Sequence, residues 1–234
     1  MSSLDRRHWL VWLSAAGWEQ AATDLSAEQR ALVQRWQQHD WPAIVRRRDA
    51  RSRASEMCIG IAFPPDANGD KLRLSLRVPR SEVRETRAPL LIAEVIEQAP
   101  LAWRAALEKL QTHVQAQGLD MRVYGSLALQ VLTGETYLRP VSDIDLLFSP
   151  ADQTQLVNGM ALLERYAQAL PLDGEVMFPD GAVAWKEWHQ VADQPGGRVL
   201  LKRQHDVALL LVADVVGALT RLLPPESINS VEKE

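Results

Sequence analysis

Cysteine is almost missing from this chain: Cys58 stands alone among 234 residues. A single cysteine excludes an internal disulfide and a cysteine-built zinc site, and Cys58 reads as a small core residue. Histidine is scarce as well, five in all, and none is spaced as a metal-binding pair. Long apolar runs are absent; Val207 to Leu219 comes nearest, but it is too short for a membrane span and is broken by Asp214. Met1 to Arg7 is polar and charged, with no signal-peptide core, so a cytoplasmic location without membrane contact is expected. No internal repeat or low-complexity tract is present. What is there is ordinary: 47% hydrophobic residues and a mean hydropathy of -0.17 describe a globular chain of one large or two small domains.

Charge is divided unevenly. Residues 1–110 hold 17 Lys+Arg against 14 Asp+Glu, whereas residues 111–234 hold 9 against 16. The net charge of -4 argues against broad nucleic-acid binding, which needs many phosphates neutralised. An acidic half needs cations before it can accept a polyphosphate.

The pattern splits into an N-terminal domain, 1–85, and a catalytic domain, 86–234. In the first, Ser26 and Gln29 form a capping box that opens a helix to about Gln38. Met57–Phe63 and Leu72–Val78, joined by the turn-rich Pro64 to Asp70, predict a hairpin whose second strand has one core face and one cationic face. Leu90 to Gln117 reads as helix interrupted at Pro100. The second domain follows as strand Met121–Tyr124, helix Ser126–Leu132, strand Ile144–Phe148 and helix Ala151–Leu170, the last begun by Pro150. Strands near Gly174–Phe178, Ala182–Trp188 and Arg198–Lys202 and a closing helix from about Asp206 complete it. The fold class is α/β with α+β character: a mixed sheet with flanking helices, plus a smaller mixed N-terminal domain.

The chemistry centres on Asp143-Ile144-Asp145, downstream of Gly125-Ser126. Alternation along a strand puts both carboxylates on one side and Ile144 in the core. Two such carboxylates repel, and a divalent cation resolves the repulsion; Mg²⁺ takes one or two carboxylates and completes its shell with phosphate oxygens. A Gly-Ser helix start offers free N–H groups to phosphate. A third carboxylate is expected from the next strand, Glu175 by preference and Asp173 as the alternative. Lys202 ends a strand where a cation would offset charge on a leaving pyrophosphate. Arg46 and Arg47, within the cluster Arg46-Arg47-Arg48, Arg51 and Arg53, are expected to contact substrate phosphate, since arginine forks bind it in bidentate fashion. Trp185 and Trp188 read as core aromatics, with a wall against a base or an arm of the substrate as the alternative.

Gly125-Ser126, Asp143-Ile144-Asp145 and the later carboxylate resemble the nucleotidyltransferase superfamily. More narrowly, the chain resembles the malonate decarboxylase holo-acyl-carrier-protein synthases, or phosphoribosyl-dephospho-CoA transferases. The likeness runs through Arg7-His8-Trp9-Leu10-Val11-Trp12, Trp41-Pro42 to Arg47, Gly60 to Pro65, Tyr124-Gly125-Ser126, Ser142 to Asp145, and Asp173-Gly174-Glu175 to Trp185. It implies transfer of a phosphoribosyl-dephospho-CoA group from 2′-(5″-triphosphoribosyl)-3′-dephospho-CoA to a serine of the malonate decarboxylase acyl carrier protein, with pyrophosphate leaving. It further implies two Mg²⁺ ions bridged by Asp143 and Asp145, with Glu175 on the nucleophile side and Gly125 and Ser126 on the outer phosphates. The N-terminal domain would recognise the carrier or the CoA arm. Other readings are a different Mg²⁺-dependent nucleotidyltransferase, with a small molecule, RNA or protein as acceptor, or a non-catalytic nucleotide-binding module.

Overall fold

The structure, a computed structural model, describes residues 6–220. Two sheets organise them. The first carries β1 (Leu10–Leu13), β2 (Ala43–Val45), β3 (Glu56–Ala62), β4 (Arg73–Pro79) and β5 (Val83–Arg87), all antiparallel, in the order β4-β3-β2-β1-β5. Helices α1 (Ala15–Ala21) and α2 (Ala27–Gln38) bury Trp18, Val33 and Trp36 with Val11, Val45, Ile59 and Leu76 in one core. The α2 start is fixed as the sequence predicts. Ser26 Oγ accepts from Gln29 N at 3.2 Å, and Gln29 Oε1 accepts from Ser26 N at 3.1 Å. The hairpin also forms, and β4 alternates as expected: Leu74, Leu76 and Val78 are buried, Arg73, Ser75 and Arg77 exposed.

The opposite face of this sheet turns toward the rest of the molecule. Leu10, Ile44, Gly60 and Ser75 pair in a row across β1 to β4. Leu10, Ile44 and Trp12 belong to the second core, not the first.

That second core surrounds a seven-stranded sheet. Its strands are β6 (Leu90–Leu91), β7 (Met121–Tyr124), β8 (Ile144–Phe148), β9 (Leu172–Phe178), β10 (Gly181–Ala184), β11 (Arg198–Lys202) and β12 (Val207–Leu211), paired in simple sequence order. Only β8 and β9 run parallel, and helix α6 (Gln153–Tyr166) makes the crossover that a parallel pair requires. Further helices are α3 (Ile92–Val95), α4 (Leu101–Ala116), α5 (Gly125–Thr133), α7 (Trp185–Val191) and α8 (Val212–Thr220). Ile144, Leu146 and Phe148 fill the helix-covered face with Val123, Val176 and Val199. This is the mixed α/β, α+β architecture the pattern predicts.

Four elements differ from expectation, each for a tertiary or capping reason. Leu90–Leu91 is not helix but a short edge strand against β7. Helix α6 starts at Gln153 because Asp152, not Pro150, caps it, its side chain accepting from Gln155 N at 2.8 Å. The strand from Ala182 ends at Ala184; Trp185 and Trp188, three apart, share a helical face and are buried on α7. Val207–Leu211 forms a strand on the free edge of β11 before any helix begins. The expected closing helix is real but starts at Val212.

Candidate active site

The face of the second sheet opposite its helices carries the candidate residues in ordered rows. Pairing sets Tyr124 beside Asp145 and Asp145 beside Asp173. The next row runs Leu147, Glu175, Ala184; the one after it runs Met177, Ala182, Lys202. Asp143 leads into β8 and is exposed, while Ile144 is fully buried, as the alternation requires.

Two glycines allow the rows to close up. Gly125 has φ of 69°, and a Cβ there would lie 1.9 Å from an Asp145 carboxylate oxygen. Gly174 has φ of 132°, and a Cβ would lie 1.9 Å from the Leu146 carbonyl oxygen. Helix α5 therefore begins directly against Asp145. The adjoining segment after it is also held: Gly134 ends α5 in the left-handed region, the Gln130 side chain accepts from Tyr137 N and Leu138 N at 3.1 Å, and buried Tyr137 donates to the Ala62 carbonyl at 2.8 Å.

Asp145 is crowded by its own sign. Burial, then the charges of Asp143 and Asp173, push its carboxyl up to about 7, with Lys71 opposing. Lys71 comes from the β3–β4 turn and donates to Ser126 Oγ at 2.6 Å. Asp173 is half-buried, accepts from Gly174 N at 2.7 Å and has Lys186 Nζ at 3.4 Å.

Glu175 is the opposite case. It is buried, and three side chains converge on it: Arg7 Nη2 at 2.8 Å, Lys202 Nζ at 2.9 Å, and His8 Nε2 at 3.1 Å. Burial would raise its pKa, but the His8 hydrogen bond and the Arg7 and Lys202 contacts outweigh burial and hold it at about 2. Burial lowers the His8 pKa, so the ring is neutral at pH 7 and carries its proton on Nε2, donating to Glu175. His8 itself sits at φ of 69° with its ring 4.0 Å from that of Tyr124. Burial, followed by the Glu175 and Asp145 charges, raises the Tyr124 pKa and keeps the phenol protonated.

The predicted residues thus fall into three settings. Asp143, Asp145, Gly125 and Ser126 come together at the start of α5, with Asp173 as the strand neighbour of Asp145. Glu175 and Lys202 are joined to each other rather than facing outward. Arg46 is committed to Asp49 at 2.8 Å and to the Ile59 carbonyl at 3.1 Å, and Arg47 follows it, half-buried, beyond β2. Arg7, His8 and Lys71 enter the site without having been expected there. Among the described residues, no group of three or more His, Cys, Asp or Glu side chains stands ready-made at metal-binding spacing.

Comparison with known proteins defines the class. The N-terminal domain of the phosphoribosyl-dephospho-CoA transferase MdcG matches residues 6–89, and its C-terminal domain matches residues 90–213. A phosphoribosyl-dephospho-CoA transferase of Xanthomonas campestris pv. campestris (strain 8004) is 39% identical over 207 residues, covering 87% of this chain and 93% of its own. One from Bradyrhizobium diazoefficiens is 37% identical over 211 residues, covering 87% and 89%. One from Azotobacter vinelandii is 31% identical over 207 residues, covering 85% and 89%. No solved structure matches. The chain is a transferase enzyme. It belongs to the phosphoribosyl-dephospho-CoA transferase family.

Proposed function

We propose that the enzyme transfers a phosphoribosyl-dephospho-CoA group from 2′-(5″-triphosphoribosyl)-3′-dephospho-CoA to a serine of the acyl carrier protein of malonate decarboxylase. The serine oxygen bonds to the phosphorus nearest the ribose, the bond from that phosphorus to the pyrophosphate oxygen breaks, and the serine proton is lost. The observation that carries this reading is Asp145, packed against the start of α5 with Asp143 and Asp173 about it and its pKa driven up to about 7. Such a site holds more negative than positive charge and sits at backbone N–H groups that receive phosphate.

A divalent cation fits this donor set. Mg²⁺ needs only one or two carboxylates when phosphate oxygens complete its shell, so a ready-made cage of three side chains is not required. Asp143 and Asp145 would hold it, and two ions are the proposed number. Asp173 is the better third ligand than Glu175, because it lies directly beside Asp145 while Glu175 is occupied by three side chains. Bound metal would screen the phosphates and align attacking and leaving oxygens.

The chain's own groups supply the rest. Gly125 N–H and Ser126 receive the outer phosphates, and Lys71, already on Ser126 Oγ, adds a cation where pyrophosphate charge develops. Lys202 and Arg7 act through Glu175, fixing the first sheet over the second. A cytoplasmic setting accords with the reaction; among the described residues no helix is long and apolar enough to cross a membrane. The test is the intact mass of the carrier protein after incubation with enzyme, Mg²⁺ and the triphosphoribosyl donor. A gain equal to the phosphoribosyl-dephospho-CoA group, with one pyrophosphate per carrier, supports the reaction; an unmodified carrier overturns it.

A further inference from the structure

The two sheets do not meet flush. Between the outer face of the first sheet and the flank of α5 lies a cavity of about 260 Å³. It begins at Tyr124 and Gly125, the edge of the phosphate cradle, and runs between aliphatic walls such as Ile44, Ala128, Leu129 and Leu132. His8 stands at one end; Arg46, Arg73 and Ser75 supply its other polar groups.

Its floor is low for a reason the backbone does not impose. Gly60, in mid-strand, does not adopt a left-handed conformation. A Cβ built there would meet only the Leu74 carbonyl oxygen at 3.4 Å and Arg46 Cδ at 4.0 Å, ordinary contacts. Glycine weakens a strand interior and often marks a place where a ligand comes close to backbone. Ala62 and Ser75 share that face with Gly60 and are small as well.

We propose that this cavity receives the purine ring of the donor's dephospho-CoA part, an assignment that rests on the reaction proposed above. Covalent connectivity favours it. With the triphosphate at the start of α5, only two riboses separate the phosphates from the purine, whereas the pantetheine arm lies beyond a further diphosphate. Size favours it too, since the volume falls just below the roughly 300–1,000 Å³ that holds a whole drug-sized ligand and suits one ring system. Polarity gives the same answer. Two pantetheine amides would need partners that aliphatic walls cannot give, while a purine buries flat faces and keeps its polar edge toward Ser75 and Arg73.

The test fills the floor with Gly60→Val and measures binding of two probes by calorimetry: dephospho-CoA, and inorganic tripolyphosphate with Mg²⁺. Dephospho-CoA affinity falls at least about tenfold, as methyl-sized changes in apolar pockets produce, and tripolyphosphate affinity stays put. Equal dephospho-CoA binding by Gly60→Val and wild type overturns the assignment, and if wild type still modifies the carrier, the reaction stands without it. A fall in both affinities together also counts against it, by showing damage beyond the cavity. Competition on wild-type enzyme needs no variant: adenosine 5′-diphosphate displaces dephospho-CoA and pantetheine 4′-phosphate does not. The reverse order would put the pantetheine arm in the cavity instead.

Discussion

Asp145 and Glu175 lie on one face of one sheet, on adjacent strands and one row apart, yet their acidities move in opposite directions, to about 7 and about 2. Burial pushes both upward. The difference lies in the neighbours: Asp145 faces two other carboxylates, whereas Glu175 faces Arg7, His8 and Lys202. A carboxylate short of positive charge waits for a cation; one already supplied with it works as a fastener. The pair shows how a single sheet face can carry a candidate reaction site and a structural joint side by side.

The strongest challenge to that contrast is Asp145→Asn. Transfer is expected to fall on the order of 10³-fold, the loss of several kcal/mol of metal-borne transition-state stabilisation. The apo protein should melt no lower at pH 7, because a crowded charge is removed. Near-normal turnover with Mg²⁺ would end the metal reading of Asp145; Asp143→Asn is the parallel case.

Next comes Glu175→Gln beside Asp173→Asn. Removing Glu175 leaves Arg7 and Lys202 without their anion, a loss of about 3–5 kcal/mol of stability by denaturant unfolding. Asp173→Asn should retain the wild-type unfolding midpoint and lose single-turnover transfer. A stable Glu175→Gln enzyme that binds donor but cannot react, beside an active Asp173→Asn enzyme, would restore Glu175 as the metal ligand.

Acid and Mg²⁺ sharpen the contrast further. Glu175, with its folded pKa depressed from 4.5, stabilises above that value and loses this contribution as pH falls toward about 2. Asp145, with its folded pKa raised from 3.8, binds its proton better when folded, so its contribution is lost as pH rises from there to about 7. Mg²⁺ at a hundredfold excess over its Kd should therefore add about 2.7 kcal/mol of stability at pH 8, and raise the melting temperature less at pH 5, where the Asp145 carboxyl is protonated. An equal shift at both pH values would separate Mg²⁺ binding from Asp145.

The smallest effect is expected at Lys186→Ala. Its contact with Asp173 is half-exposed at 3.4 Å, so stability should change by less than about 1 kcal/mol. A larger loss in thermal unfolding would mean that Asp173, like Glu175, depends on a fixed cation.

Much of this was legible in residue order. The capping box at Ser26, the alternation of β4, the buried Ile144 between two outward carboxylates and the Gly125-Ser126 helix start are all local patterns, and local patterns survive folding. What escaped was set by distance along the chain. Nothing near Glu175 in the sequence announces Arg7 or His8; the local signals, apolar neighbours at Glu175 and a turn at Asp173, favour Glu175 without showing the side chains that reach it. Lys71 sits in a turn-rich linker that offers no hint of Ser126. Strand β12 looked like the beginning of a helix because its partner, the free edge of β11, is a tertiary fact.

The Arg7–Glu175 contact spans 168 positions, and that interval has a consequence during synthesis. The ribosome releases Arg7 and His8 early, while Glu175 and then Lys202 emerge only near the end. Domains generally fold as they appear, amino-terminal first, so the first sheet can be complete while its two contributed side chains still face water. Closing so distant a contact comes late in folding. The nascent chain therefore has no finished site to offer a nucleotide until most of it has been made.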